Sequence, residues 1–207
     1  MKLLVFGATG PTGRELVSQA LAQGHEVTAF ARRPEALAPR ERLRIARGDT
    51  RDRASVEAAA GGHDAALSAL GIGTSFIPNT LIEDSMKNIV PALERAGVKR
   101  FVHMSAFGVG ETKNEAPLIP RLFYNTLLAG IFADKLSAER LLRASPLDWT
   151  IVYPTLLTHG ALTGRYRAGE KLELHGMPSI SRADVAHFML GEAAHPAFVR
   201  KAVVLSY

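Results

Sequence analysis

The 207-residue chain contains no cysteine. Disulfide staples, thiolate metal sites and cysteine nucleophiles are therefore excluded, and the composition fits a reducing compartment. Nor does any apolar run approach the ~18 residues that a bilayer span requires. The opening MKLLVFGATG carries a lysine and a short apolar stretch. That stretch falls short of the ~7–15 residues of a secretory signal core and runs straight into glycines. These absences set the expectation of a cytoplasmic protein with no membrane partner. Internal repeats and low-complexity blocks are missing as well. Histidines and carboxylates are too scattered to suggest a metal site. The formal net charge is +5, but the basic residues are spread out except at Arg32-Arg33 and within residues 40–53. That pattern argues against a nucleic-acid partner. The expected assembly is a monomer or weak homodimer.

What is present is a rhythm. Short, nearly continuous apolar runs occur at residues 2–6, 26–30, 43–47, 64–70, 100–105, 148–153 and 202–207. Runs of that kind suit strands buried on both faces of a parallel sheet. Amphipathic stretches lie between them. In residues 12–24, Leu16, Val17, Ala20 and Leu21 share a helical face and Gly24 is placed to end it. In residues 80–97, Thr80 and Glu83 fit a capping box, Gly97 supplies the stop, and Pro91 predicts a kink. In residues 181–194, Ser181 is the expected N-cap, with Asp184 in the first turn. Strand–helix alternation of this kind predicts a single α/β domain over residues 1–207, a Rossmann-type doubly wound parallel sheet with helices on both faces. Residues 107–133 and about 154–180 break the rhythm and are expected to form irregular walls of a substrate cleft.

The first run stops abruptly at GATGPTG. Gly7, Gly10 and Gly13 are spaced GxxGxxG at a strand-to-helix junction, with Thr9, Pro11 and Thr12 between them. Glycine permits a tight turn and leaves no Cβ between the backbone and a pyrophosphate. Proline suits the first helical position, and the free amides of the first turn face an anion. Between a first strand and a first helix, this spacing predicts dinucleotide binding. The second run ends in 27-VTAFARRPE-35, with no carboxylate to take a ribose 2′-hydroxyl and with Arg32 and Arg33 following at once. Guanidinium groups can fork a 2′-phosphate that a carboxylate would repel. The expected cofactor is NADP, with NADPH preferred over NADH.

The segment GATGPTGREL resembles the cofactor turn of atypical short-chain dehydrogenase/reductases of the NAD(P)H-binding, NmrA-like kind. The likeness continues through 48-GDTRD-52, 96-AGVKRFVHMSAFGVG-110, 147-LDWTIVYPTLLT-158 and 179-SISRADVAHFML-190. Within the family it is greatest to flavin reductases of the biliverdin reductase B type. The resemblance implies that Asp49 and Thr50 meet the adenine, with Asp49 accepting from its amine. It implies that Ala69, Leu70 and Gly71 line the ribose, and that Lys135 lies near the nicotinamide ribose. Tyr153, Pro154, Thr155 and Leu156 would meet the nicotinamide. Flavin reductases of that type carry a histidine where this chain has Leu156, a departure that weighs against tetrapyrrole specificity.

The Tyr-x-x-x-Lys pair of typical short-chain dehydrogenases is missing: Leu128 stands four residues after Tyr124, and Leu157 four after Tyr153. Ser105 does match the serine position at the end of the fifth run and is the candidate catalytic residue, with Ala106 and Phe107 beside it. Without a tyrosine acid, reduction of an unactivated ketone is hard to explain. A flavin, quinone or tetrapyrrole stabilises added electrons itself and needs only stacking and positioning. Leu118, Phe123, Tyr124 and Phe132 are candidate apolar walls for such an acceptor. The sequence thus points to an NADPH-dependent oxidoreductase acting on a conjugated acceptor. A redox sensor that binds the dinucleotide without turnover and a sugar-nucleotide epimerase are the alternatives.

Overall fold

A computed structural model describes residues 1–71, 80–114 and 129–207. The strands are β1 (Lys2–Phe6), β2 (Glu26–Ala31), β3 (Leu43–Arg47), β4 (Ala65–Ser68), β5 (Arg100–Met104), β6 (Asp148–Pro154), β7 (Leu156–Thr158), β8 (Arg167–Gly169), β9 (Ser179–Ser181) and β10 (Lys201–Ser206). The α-helices are α1 (Pro11–Ala22), α2 (Arg53–Ala60), α3 (Leu81–Arg95), α4 (Ala129–Ala144) and α5 (Arg182–Ala194). An eight-stranded sheet runs in the order β3-β2-β1-β4-β5-β6-β10-β8. Every pairing within it is parallel except that of β8 with β10. This is the doubly wound Rossmann-type α/β fold, and its strand order reverses between β1 and β4.

Alternation along each strand divides the core in two. Leu3, Val5, Val102 and Val203 face α1 and α5, where they meet Leu16, Val17 and Met189. Leu4, Phe6 and Phe101 face the opposite layer and pack with Ile89, Leu93 and Leu142 of α3 and α4. Each fully buried Leu or Phe is worth about 1.5–3 kcal/mol, so the two layers hold the sheet rigidly beneath its carboxyl ends.

The sequence expectations depart from the structure at three places. The segment 154–180, expected to be irregular, contains β7, β8 and β9, and β7 pairs with β9 in a separate parallel sheet. Asp184 fastens this excursion. Its carboxylate accepts from the Thr163 and Gly164 amides (2.9 and 2.8 Å) and from the Thr163, Ser181 and Tyr207 hydroxyls (2.8, 3.1 and 2.6 Å). Burial alone would raise its pKa, but these donors draw it down to about 2. Second, the stretch expected to stay irregular to residue 133 is helical from Ala129. Third, the capping box at Thr80 does not form. The Thr80 hydroxyl donates to Asp84 (2.6 Å), and the amides of Ile82 and Glu83 donate instead to the carboxylate of Asp134 on α4 (3.0 and 2.8 Å). A carboxylate brought in by tertiary packing has displaced the local cap. Ser181 does cap α5 as its sequence suggests, accepting from the Asp184 amide at 3.0 Å.

Candidate functional site

The strand-order reversal opens a cleft at the carboxyl ends of β1 and β4, where open α/β sheets bind ligands. The turn between β1 and α1 forms its floor. Gly7 has φ +74°, and a Cβ there would lie 2.7 Å from the Ala69 carbonyl oxygen. At Gly13 a Cβ would lie 2.1 Å from the Gly7 oxygen. Both positions are closed to any other residue by the turn itself. Gly10 is different: a Cβ there would meet only the Gly7 oxygen, at 3.4 Å, and otherwise points into open space. Gly10 is also the N-cap of α1, with Pro11 next, no side-chain cap bond and no acidic residue in the first turn. The result is a bare, positively polarised helix end that fits a dinucleotide pyrophosphate.

Of the sequence-predicted residues, Gly7, Thr9, Gly10, Arg32, Thr50, Ala69, Leu70 and Gly71 line this cleft of about 130 Å³. Phe30, Ala31, Gly48 and Leu81 join them unforeseen. A Cβ at Gly48 would lie 2.4 Å from the Phe30 ring, so the loop after β3 seats directly on that ring. Arg33 is exposed and lies outside the lining, as does Asp49. The Asp49 carboxylate is turned on Arg51, accepting from its amide (2.9 Å) and its guanidinium (3.0 Å), and these bonds hold it below the usual carboxylate range. Both contacts are with a neighbour two residues along the chain, and the Arg51 side chain is half exposed. The Thr50 hydroxyl is likewise engaged, 2.6 Å from that of Ser85. A larger hollow of about 690 Å³ touches Lys2, Thr28, Arg44 and His63. It sits at the amino-terminal half of β1–β3, away from the end where such sheets do chemistry.

Beyond Gly71, a buried polar cluster joins β5, β6 and α4. Ser105 donates to Glu139 Oε1 and Tyr153 to Glu139 Oε2, both at 2.6 Å. Arg143 donates to the Tyr153 hydroxyl at 3.4 Å. Burial pushes the Glu139 carboxyl up, while its two donors and the cations Arg143 and Lys135 oppose the shift. Burial also raises the Tyr153 phenol, reinforced by Glu139. Lys135 is only 8% exposed and makes no hydrogen bond or ion pair among the described residues. Burial lowers its pKa to about 8, against the attraction of Glu139 and Asp134. His103, also fully buried, is pushed down to about 3 by burial and then by Lys135, so it stays neutral.

Several side chains expected at the cofactor are committed elsewhere. Tyr153 is a core residue whose hydroxyl is taken by Glu139, and Phe107 packs in the same core. The Pro154 carbonyl accepts from the Phe107 amide at 3.0 Å, and the Thr155 hydroxyl donates to the Leu205 carbonyl at 3.2 Å. Of that strand-end group only Leu156 is open, at 57% exposure. Ala106 is half-buried against the core, and so is Phe132. Leu118, Phe123 and Tyr124 lie outside the described residues. Glu139 was not anticipated. Its signal is its spacing with Lys135: residues 134, 135, 138, 139 and 142 form the buried stripe of α4, and three of the five carry charge.

Turn, cleft and strand order define a dinucleotide-binding Rossmann-type protein. The chain belongs to the NAD(P)H-binding family, which it matches over residues 7–196. It is 33% identical over 199 residues to a Bacillus subtilis protein named uncharacterized sugar epimerase YhfK, spanning 90% of this chain and 85% of that one. It is 30% identical over 222 residues to UPF0659 protein YMR090W of Saccharomyces cerevisiae, spanning 99% and 92%. Among solved structures it resembles ChuY, an anaerobillin reductase from Escherichia coli O157:H7, with a TM-score of 0.80 and 26% identity over 99% of this chain and 96% of that one. No helix among the described residues is long and apolar enough to cross a membrane.

Proposed function

We propose that the protein is an NADPH-dependent reductase that delivers hydride to a conjugated acceptor such as a flavin, quinone or tetrapyrrole, and that it works in the cytoplasm. The carrying observation is that Lys135 and Ser105 are buried together around Glu139, while Ile131 stands four residues before Lys135, where a typical short-chain dehydrogenase has its tyrosine acid. Bound NADPH supplies the hydride. The chain's own groups bind and orient: Gly10 and the α1 amides hold the pyrophosphate, Ser105 and Lys135 fix the nicotinamide end, and the apolar core beneath excludes water. An acceptor that stabilises its own added electron pair needs no tyrosine to protonate it. The reductase named among the structural neighbours supports this reading.

NADPH oxidation against a panel of flavins, quinones and biliverdin is the test. Turnover is expected with at least one of them and none with simple aliphatic ketones. Tight NADPH binding without turnover above the uncatalysed rate across the panel would leave a dinucleotide-binding sensor instead.

The preference for NADPH rests on Arg32. It lines the cleft at the end of β2, where no carboxylate stands. NADPH is expected to bind at least tenfold more tightly than NADH, about 1.4 kcal/mol. Arg32→Ala should remove that advantage and leave NADH affinity unchanged, whereas Arg33→Ala should do little. Equal affinities of the unaltered protein for the two cofactors, by calorimetric titration, would refute the preference.

A further inference from the structure

The ends of β2 and β3 bring a cation and an acid together at the edge of the cleft. Arg47 pairs with Ala31 across the two strands, and the Gly48 amide donates to the Ala31 carbonyl at 3.1 Å. The next residues along the chain are Arg32 and Asp49. Arg32 lines the cleft and forms no ion pair among the described residues. Gly48 and Thr50 line it too, and Asp49 stands between them. The Asp49 carboxylate is held elsewhere. Arg51 takes it in a fork, with Nε on Oδ1 at 3.3 Å and Nη2 on Oδ2 at 3.0 Å, and the Arg51 amide adds a third bond at 2.9 Å. The Arg51 side chain is the main cause of its lowered pKa, against burial, and the charge of Arg32 lowers it further. Asp49 and Arg32 therefore lie within each other's field. The loop backbone does not depend on the fork. The Asp49 carbonyl accepts from the Asp52 amide (2.9 Å) and the Ser55 hydroxyl (3.0 Å), and the Asp52 side chain caps α2.

An acid at this end of a Rossmann sheet suits a ribose 2′-hydroxyl and repels a 2′-phosphate. Released from Arg51, the Asp49 carboxylate would turn to the unpaired guanidinium of Arg32. It would then occupy the donors that a 2′-phosphate needs and set a negative charge beside them. We propose that Arg51 is a positioning residue for cofactor choice: by holding Asp49 it leaves Arg32 free for the 2′-phosphate of NADPH. This rests on the reading of Arg32 given above. Arg51 acts through Asp49 and need not touch the cofactor. Its side chain is 52% exposed and that of Asp49 30%, so water screens the pair and the effect is several-fold rather than a loss of binding.

The test is calorimetric titration of NADPH and NADH, so turnover is not required, and the readout is the ratio of the two dissociation constants. The adenine is common to both cofactors, so any contact that Asp49 makes with it cancels in that ratio. The unaltered protein should favour NADPH by at least tenfold. Arg51→Gln should bring the ratio below about threefold, the scale of a part-exposed ion pair. Adding Asp49→Asn to that variant should return the ratio to within about twofold of the unaltered value, because the released group no longer carries charge. Arg33→Gln removes a guanidinium from the same end of the sheet and should leave the ratio unchanged, which separates release of Asp49 from a general loss of positive charge. An undiminished ratio in Arg51→Gln, no recovery in the double variant, or an equal fall in Arg33→Gln would overturn the proposal. Equal affinities in the unaltered protein would instead refute the reading of Arg32, and the proposal with it.

Discussion

Gly10→Val is expected to weaken NADPH binding by at least a hundredfold, about 2.7 kcal/mol, and to leave the fold standing. The two halves of that expectation come from different observations. A Cβ at Gly10 meets nothing closer than 3.4 Å, and the residue has φ −71° and ψ 164°, extended values that valine adopts readily. Valine is a poorer N-cap than glycine, so a stability loss of up to about 1 kcal/mol is expected. The same open space is where a pyrophosphate must lie to reach the α1 amides, and an isopropyl group fills it. Gly13→Ala provides the contrast. Its Cβ would fall 2.1 Å from the Gly7 oxygen, so strand and helix must separate. It should lose binding and also about 1–3 kcal/mol of stability, the scale of an overpacked core. Fluorescence titration of NADPH and urea unfolding of both variants separate the two effects. Normal binding by a folded Gly10→Val protein would show that the dinucleotide does not lie on this turn.

The parts of the molecule that could be read in advance are those fixed by local sterics. Seven of the sheet's strands follow from apolar runs, because a strand buried on both faces has no polar alternation to blur it. Gly7 and Gly13 are legible because backbone contact permits nothing larger. Strands β7, β8 and β9 are not legible because three-residue segments such as Ser179–Ser181 and Arg167–Gly169 carry no periodicity. The Thr80–Glu83 box was a sound local pattern, defeated by Asp134 from about fifty residues away. The candidate site divides in the same way. The glycine turn is continuous in sequence, and the structure sets it between β1 and α1 as its spacing predicts. The Ser105–Glu139–Tyr153 cluster is assembled from β5, α4 and β6, and no spacing links its members. The hydrogen bonds of Asp49 to Arg51 and of Tyr153 to Glu139 were not legible either, because a resemblance places a residue in the fold without saying which neighbour its side chain meets.

Lys135→Met is expected to make the protein more stable at pH 7 while weakening its hold on NADP⁺. The lysine is buried with no partner for its ammonium among the described residues, and burial lowers its pKa from 10.5 to about 8. The attraction of Glu139 and Asp134 is already included in that value. The folded state therefore binds this proton less readily than the unfolded chain, so charging Lys135 opposes folding. At about 1.4 kcal/mol per pH unit, the gap between 10.5 and about 8 amounts to roughly 3–4 kcal/mol. The sign fixes the pH dependence. Below about pH 8 both states are protonated and the full penalty applies. Between about 8 and 10.5 the folded protein loses the proton first, and stability attributable to this residue rises with pH. Above 10.5 the penalty is gone. Methionine matches the length of the lysine stem without the charge, so its advantage should be largest at pH 7 and shrink steadily toward pH 10.5. Urea unfolding at pH 7 and pH 10 measures it. A methionine variant that is less stable at pH 7, or whose difference from the unaltered protein does not change with pH, would mean that the ammonium is already neutralised in the fold. On the reading proposed above, Lys135 faces the nicotinamide ribose, so the methionine variant should also bind NADP⁺ more weakly in a calorimetric titration.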